Sequence, residues 1–233
     1  MYLFLFTIHY VTDCKILEHN MKSLLIFASG TKEGGGSGFQ ALVENVKTGV
    51  LHANIIAVVS NHKQGGVRRR ADSLKISFEH FHAPYTKKAY QAIIAKHNPE
   101  FVSLSGWLKL AHGLDPRCTT NIHPGPLPQF GGSRMYGHYV HKRVLDAFKK
   151  GEIRSSAVSM HFVTKKYDEG PVFFKYPVAI RDNDTPETLK TRVTATEHAW
   201  QSFITNLIIQ GKIRWNGKDP KSLIVPNWYP FLP

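Results

Sequence analysis

The chain has 233 residues, 42% of them hydrophobic, which is long enough to bury one sizeable core, and no apolar run approaches the roughly 20 residues that span a membrane. Two cysteines, Cys14 and Cys118, exclude a disulfide framework and lack metal-ligand spacing, so a reducing cytoplasm is the expected compartment. A formal charge of +13, spread over Arg68-Arg69-Arg70, Lys87-Lys88, Lys142-Arg143, Lys149-Lys150 and Lys165-Lys166, suits a polyanionic ligand, but the basic residues are not interleaved with aromatics as in a nucleic-acid module. The thirteen histidines are scattered without a tight His/Cys/carboxylate cluster, so no metal is expected, and His138 with His141 reads as one wet helix face.

Residues 1–20 open on an apolar run, Met1 to Phe6, that does not read as a signal peptide. No Lys or Arg precedes it, His9 interrupts it, and no small-residue cleavage pattern follows. We read it as an N-terminal extension ahead of a natural start at Met21, followed by one domain over 21–215 and a tail over 216–233. From Leu24 the chain alternates. Leu24 to Ala28 is an apolar strand, Gly30 to Gly38 a glycine-rich loop, Phe39 to Lys47 a helix ending before Gly49, and Asn54 to Val59 a second strand. Gly65 to Leu74 reads as a helix, Ile76 to Phe81 as a short strand, Lys87 to His97 as a helix and Phe101 to Leu104 as a strand. Strands separated by helices predict an α/β fold, a single Rossmann-like domain with a mostly parallel twisted sheet flanked by helices.

Ligands in such sheets lie beyond the carboxyl ends of the strands, where the Gly30 to Gly38 loop falls. Backbone amides around Gly35, Gly36, Ser37, Gly38 and Phe39 can approach an anion at a helix N-terminus, which suits a phosphate, although a flexible turn has the same composition. The loop lacks the Gly-Lys-Ser/Thr of a Walker motif and does not match a dinucleotide fingerprint.

The densest chemistry lies in Asn121-Ile122-His123-Pro124-Gly125-Pro126-Leu127-Pro128. Strand alternation about Ile122 sends Asn121 and His123 to the same side, where an amide donor and a titratable ring can converge on one group. That is the equipment of acyl transfer, and the prolines stiffen the turn behind it. A capped strand end with a satisfied surface His would carry the same residues. Tyr136 to Lys149 continues as a helix. Ser159 to Thr164 then reads as a strand, Lys165 to Pro171 as a loop holding Asp168, and Val172 to Ile180 as a further strand. Asp184-Thr185-Pro186-Glu187 starts a long amphipathic helix running to about Gln210, with Thr185 at the N-cap.

Asn-x-His-Pro-x-x-Leu-Pro, followed some forty residues on by an Asp in a strand-loop-strand, resembles the formyltetrahydrofolate-dependent formyltransferases over about residues 22 to 215. The resemblance implies transfer of a formyl group from 10-formyltetrahydrofolate, as co-substrate and without metal, to an amine. Within the family it is nearest to the members that formylate glycinamide ribonucleotide in purine synthesis. It assigns catalysis to Asn121, His123 and Asp168, with the carboxylate favouring the His123 imidazolium. It gives the substrate phosphate to the loop of Gly35, Gly36, Ser37, Gly38 and Phe39, and the ribose hydroxyls to Glu197. On the folate side it implies Trp107, Leu108, Lys109, Leu110, Tyr167 and Gly170, with Lys109 standing where the family usually has Arg. It leaves a homodimer open, and it leaves a sugar nucleotide or methionyl-tRNA as alternative acceptors. A basic binding protein without turnover would need only the fold and the charge.

Overall fold

A computed structural model of the chain describes residues 21–232. Expectations for residues 1–20, Cys14 among them, lie outside the described residues. Seven strands form one sheet, β1 (Lys22–Phe27), β2 (Ala53–Ser60), β3 (Phe78–His80), β4 (Phe101–Ser105), β5 (Thr119–His123), β6 (Ser155–Phe162) and β7 (Val172–Ala179). Their spatial order is β3-β2-β1-β4-β5-β6-β7. The first five strands in that order run parallel, whereas β6 and β7 are antiparallel additions beyond β5.

Helices α1 (Ser37–Lys47), α2 (Gly66–Leu74), α3 (Lys87–His97), α4 (His138–Lys149) and α5 (Pro186–Ile209) cover the sheet. Alternation along β1 divides the core between its two faces. Leu24, Ile26 and Ala28 join Phe39 and Leu42 of α1 and Val67 of α2, while Leu25 and Phe27 join Tyr90 and Ile93 of α3. Phe27 is fully buried among aromatic neighbours, and its truncation to Ala would cost about 3–5 kcal/mol. A third apolar cluster lies between β6, β7, α4 and α5.

The expected elements are present with shifted ends. Three helices differ at their starts, α1 beginning at Ser37, α2 at Gly66 and α4 at His138. The third strand begins only at Phe78, because Lys75 takes a left-handed cap (φ 58) and the Ile76 N–H returns to the Ala71 carbonyl. Strand β6 begins four residues earlier than expected. Thr185 caps α5 as read from its sequence, in a reciprocal box with Thr188, with Pro186 in the first turn. Pro177 is tolerated because β7 is an edge strand, and part of that edge is covered where the Lys175 N–H donates to the Phe231 carbonyl.

Candidate active site

Adjacent strands bring the motif together at one end of the sheet. Parallel pairing of β4 with β5 sets Leu104 beside Asn121, and antiparallel pairing of β5 with β6 sets Asn121 opposite His161. The loop between β6 and β7 returns over this end and delivers Asp168, whose φ of 55 bends its backbone into the left-handed region.

The polar groups converge on that carboxylate. Asn121 Nδ2 donates to Asp168 Oδ1 at 3.3 Å and lies 3.1 Å from His161 Nε2, which is itself 3.3 Å from Asp168 Oδ1. The Gly132 N–H donates to Asp168 Oδ2 at 3.0 Å, and His123 Nδ1 lies 3.6 Å from the same oxygen. A carbonyl oxygen only accepts, so the 2.8 Å contact of His123 Nε2 with the Phe130 carbonyl fixes a proton on Nε2. The same logic puts a proton on His161 Nδ1, 2.8 Å from the Phe162 carbonyl.

Small residues make the approach feasible. A Cβ on Gly131 would lie 2.9 Å from Asp168 Cβ, and one on Gly125 would meet Val140 at 2.8 Å. Ser159 pins the proline turn, accepting from the Leu127 N–H and donating to the Gly125 carbonyl. Gly131 and Gly132 together are therefore the seat of the Asp168 carboxylate.

One electrostatic expectation is reversed. Asp168 was expected to raise the pKa of His123, but burial of the ring at 3% exposure pushes it below the ordinary value, and the nearby Asp168 charge only partly opposes this. His123 therefore rests neutral with Nδ1 free to take a proton. Burial would raise the Asp168 carboxyl, yet its contacts with His161 and His123 and the Gly132 N–H together hold it below the usual range.

Two cavities meet here. The larger, about 230 Å³, runs from Gly36, Ser37 and Gly38 at the start of α1 to Glu197 and His198 on α5 and ends at Asn121. The smaller, about 40 Å³, is walled by Lys109, Leu110, Tyr167, His161 and Asp168. Asn121 and Trp107 line both.

At the α1 end, Gly36 is the N-cap with φ 80, and a Cβ on Gly38 would come within 2.4 Å of Ser105 Oγ. The loop is braced rather than loose. Thr31 Oγ1 accepts from the Gly34 N–H at 2.8 Å, and Arg70 Nη1 holds the Gly35 carbonyl at 3.0 Å. Glu197 is half-buried without a hydrogen-bond partner among the described residues, and desolvation pushes its pKa up to about 7 against the opposing charge of Lys190.

Several expected residues sit differently. Gly35 and Phe39 do not line the larger cavity; Gly35 packs on Gly30, and the Phe39 ring is fully buried, leaving only its backbone to face a ligand. Trp107 was expected to offer its surface to a flat ring. It is instead a core aromatic at 7% exposure, its indole N–H bonded to Tyr90 Oη at 2.9 Å, with only its margin on the cavities. Leu108 is exposed on the rim of the larger cavity, not the smaller, and Lys109 Nζ lies 5.5 Å over the Tyr85 ring. Gly170 lies outside both cavities, and a Cβ there would strike the Phe162 carbonyl, so its smallness serves strand packing. His141 is not on a wet face; it is buried on α4, its Nδ1 without a partner among the described residues, whereas His138 is exposed and pairs with Glu187 at 3.0 Å. Cys118 is a structural thiol, raised by burial to about 11.

His161 is the residue that sequence reasoning missed. Its signal was a lone imidazole inside an apolar strand, but only the β5–β6 register makes it the partner of Asn121.

Fold and site together define a formyl-group transferase, and the chain belongs to the formyl transferase family, whose pattern matches residues 22–205. It is 33% identical over 211 residues to the chloroplastic phosphoribosylglycinamide formyltransferase of Arabidopsis thaliana, covering 85% of this chain and 69% of the plant protein. It is 32% identical over 202 residues to the phosphoribosylglycinamide formyltransferase of Bacillus subtilis (strain 168), covering 81% of this chain and 95% of the bacterial one. The crystal structure of the Coxiella burnetii phosphoribosylglycinamide formyltransferase, in complex with CHES, superposes with a TM-score of 0.72 at 26% identity, over 89% of this chain and 100% of that one.

Proposed function

We propose that this chain transfers the formyl group of 10-formyltetrahydrofolate to the amine of glycinamide ribonucleotide. The observation that carries the reading is that Asn121 lines both the cavity at the α1 N-terminus and the cavity at Asp168, so one carboxamide faces two substrate spaces at their junction. In this reading the larger cavity takes the acceptor, its phosphate at the amides of Ser37, Gly38 and Phe39 and its ribose at Glu197. The smaller cavity takes the reactive end of the folate between Leu110, Tyr167 and Asp168. The likeness to phosphoribosylglycinamide formyltransferases favours this acceptor over a sugar nucleotide or methionyl-tRNA.

The chemistry follows from the groups present. The neutral amine attacks the formyl carbon, a C–N bond forms, and the carbonyl electron pair moves to oxygen, where the Asn121 amide donates to it. The attacking nitrogen becomes cationic and gives up a proton. His123 Nδ1 is the ring nitrogen able to receive it, and the imidazolium so formed stands 3.6 Å from Asp168 Oδ2 as an ion pair. Collapse breaks the bond from the formyl carbon to the folate nitrogen, which takes up the proton held by the His123 imidazolium as tetrahydrofolate leaves, and the ring returns to neutral. No helix among the described residues is long and apolar enough to cross a membrane. The cytoplasm is the compartment we propose, on the ground of the two-cysteine composition.

The test is a panel of acceptor amines with 10-formyltetrahydrofolate, following folate release. Glycinamide ribonucleotide should give the highest kcat/KM. Preference for a sugar nucleotide or methionyl-tRNA would overturn the acceptor, and release of formate without any acceptor would overturn the transfer.

A further inference from the structure

A separate cavity, about 480 Å³, borders the proline turn and shares no lining residue with the two cavities that meet at Asn121. Strand alternation makes it. On β6, Val158, Met160 and Phe162 join the third apolar cluster, so Ser155, Ala157 and Ser159 point to the opposite face. Pairing with β7 puts Pro177 beside Ala157 and Lys175 beside Ser159 on that face. The small side chains of Ser155 and Ala157 leave it recessed, and Pro126 and Gln129, from the turn that follows His123, supply a further wall.

Two cations and no carboxylate line this space. They are Arg154 and Lys175, and neither has an ion-pair partner among the described residues. Glu152, the acidic residue nearest to Arg154 in sequence, pairs instead with Lys150 at 4.0 Å. Lys175 is also a mechanical link. Its Nζ donates to the Leu127 carbonyl at 3.2 Å, on a turn whose other ties are Ser159 and, at the Phe130 carbonyl, the His123 ring. Its backbone N–H donates to the Phe231 carbonyl at 2.9 Å, which brings Leu232 to the cavity wall. That tail lies beyond residue 205, where the family match ends.

We infer that this cavity is a second anion site, outside the catalytic centre, for a small phosphate ester, and that its occupancy is felt at the catalytic turn through Lys175. An arginine fork beside a lysine point charge suits a doubly charged tetrahedral oxyanion. Ile153, Pro126 and Pro177 offer apolar surface to the organic part of the ester, and the volume falls in the range of about 300–1,000 Å³ common for small-molecule sites. Two cations are too few for a polynucleotide, which needs a run of them. A bound phosphate draws the Lys175 ammonium away from the neutral Leu127 carbonyl, because a charge-assisted pair is the stronger, and so loosens the turn that follows His123. This coupling, unlike the site itself, rests on the function proposed above.

The experiment uses the full chain with adenosine 5′-monophosphate as probe and adenosine as its uncharged control. Calorimetry with glycinamide ribonucleotide saturating the acceptor cavity should still show the monophosphate binding, with a Kd below about 1 mM. Arg154→Gln should weaken that binding about 5-fold, the upper end for one exposed pair, and leave kcat and both KM values without the probe unchanged. In wild type the saturating monophosphate should lower kcat about 5-fold without raising the acceptor KM, and in Lys175→Gln that drop in kcat should disappear. Loss of binding once the acceptor cavity is filled, equal affinity in Arg154→Gln, or adenosine binding as tightly as the monophosphate overturns the site. A wild-type kcat unmoved by the bound probe, or one lowered equally in Lys175→Gln, overturns the coupling. Absence of formyl transfer would instead sink the proposed reaction, and the affinity of wild type against Arg154→Gln then decides the cavity alone.

Discussion

Asn121 Nδ2 lies 3.3 Å from Asp168 Oδ1, a contact closed across 47 positions of sequence by the loop between β6 and β7. The same Nδ2 lies 3.1 Å from His161 Nε2, so the carboxamide is held between two polar neighbours. In the proposed reaction an incoming carbonyl must compete with the Asp168 carboxylate for the amide hydrogens, and a tetrahedral oxyanion competes better than a neutral carbonyl does. The arrangement thus favours the charged species over the ground state, which is the condition for lowering the barrier rather than only tightening binding.

If the α1 amides hold the acceptor phosphate, Gly36→Val should raise acceptor KM about 10-fold or more and leave folate KM nearly unchanged. The position has φ 80, and a Cβ already lies 3.0 Å from Val67 Cγ2, so a branched side chain displaces the amides it precedes. The strain should cost about 1–3 kcal/mol of stability, measurable by denaturant unfolding. Equal rises in both KM values for a folded variant would rule out the assignment.

Glu197 offers a proton-counting test. Burial pushes its pKa up to about 7, so it is partly protonated near neutrality, and ribose hydroxyls donating to it would favour the carboxylate. Acceptor binding near pH 7 should therefore release protons beyond those of the phosphate. Calorimetry in buffers of different ionisation enthalpy should show that excess in wild type and lose it in Glu197→Gln, whose acceptor KM should rise about 10-fold. An unchanged proton count in the variant would mean that the carboxylate does not meet the acceptor.

The parts legible in the sequence were those with local causes. Asn121 and His123 share a side because strand alternation is local, and Thr185-Pro186 announces α5 because a cap is a short-range hydrogen bond. Asp168 was readable as a loop residue between two apolar strands. What escaped depends on tertiary neighbours. His161 faces Asn121 only through the antiparallel register, Gly170 is small because the Phe162 carbonyl lies against it, and Trp107 is a core residue because Tyr90 from α3 reaches its indole. The pKa of His123 escaped for the same reason. A carboxylate neighbour could be inferred from the motif, but the larger effect is desolvation by a core that no motif describes.

His141 sets an acid limit on stability. Burial lowers its pKa to about 4, with Lys190, His123 and His138 adding to the drop and Glu187 opposing it. The unfolded imidazole protonates near 6.5 and the folded one only near 4, so between these values the unfolded chain binds more protons. Stability present above pH 6.5 therefore drains as pH falls toward 4, by about 3 kcal/mol from this group. Denaturant midpoints across that range should fall less steeply for His141→Leu than for wild type. Parallel slopes would show that His141 protonates freely in the fold.

The chemistry itself is tested by coupling. Removing an oxyanion donor commonly costs about 10²-fold or more, so Asn121→Ala should lower the single-turnover transfer rate by that order with a much smaller change in folate affinity. His123→Ala and Asp168→Ala should each be severe, because one removes the proton acceptor and the other removes the charge 3.6 Å from it. Their combination should cost far less than the product of the two losses, since once the imidazole is gone the carboxylate has no imidazolium to stabilise. Asp168→Asn separates charge from position, as its amide oxygen can still accept from the Gly132 N–H while the ion pair cannot form. It should keep the fold and lose rate nearly as Asp168→Ala does. Full transfer by Asn121→Ala, or strictly multiplicative losses for the His123/Asp168 pair, would refute a shared proton-transfer site.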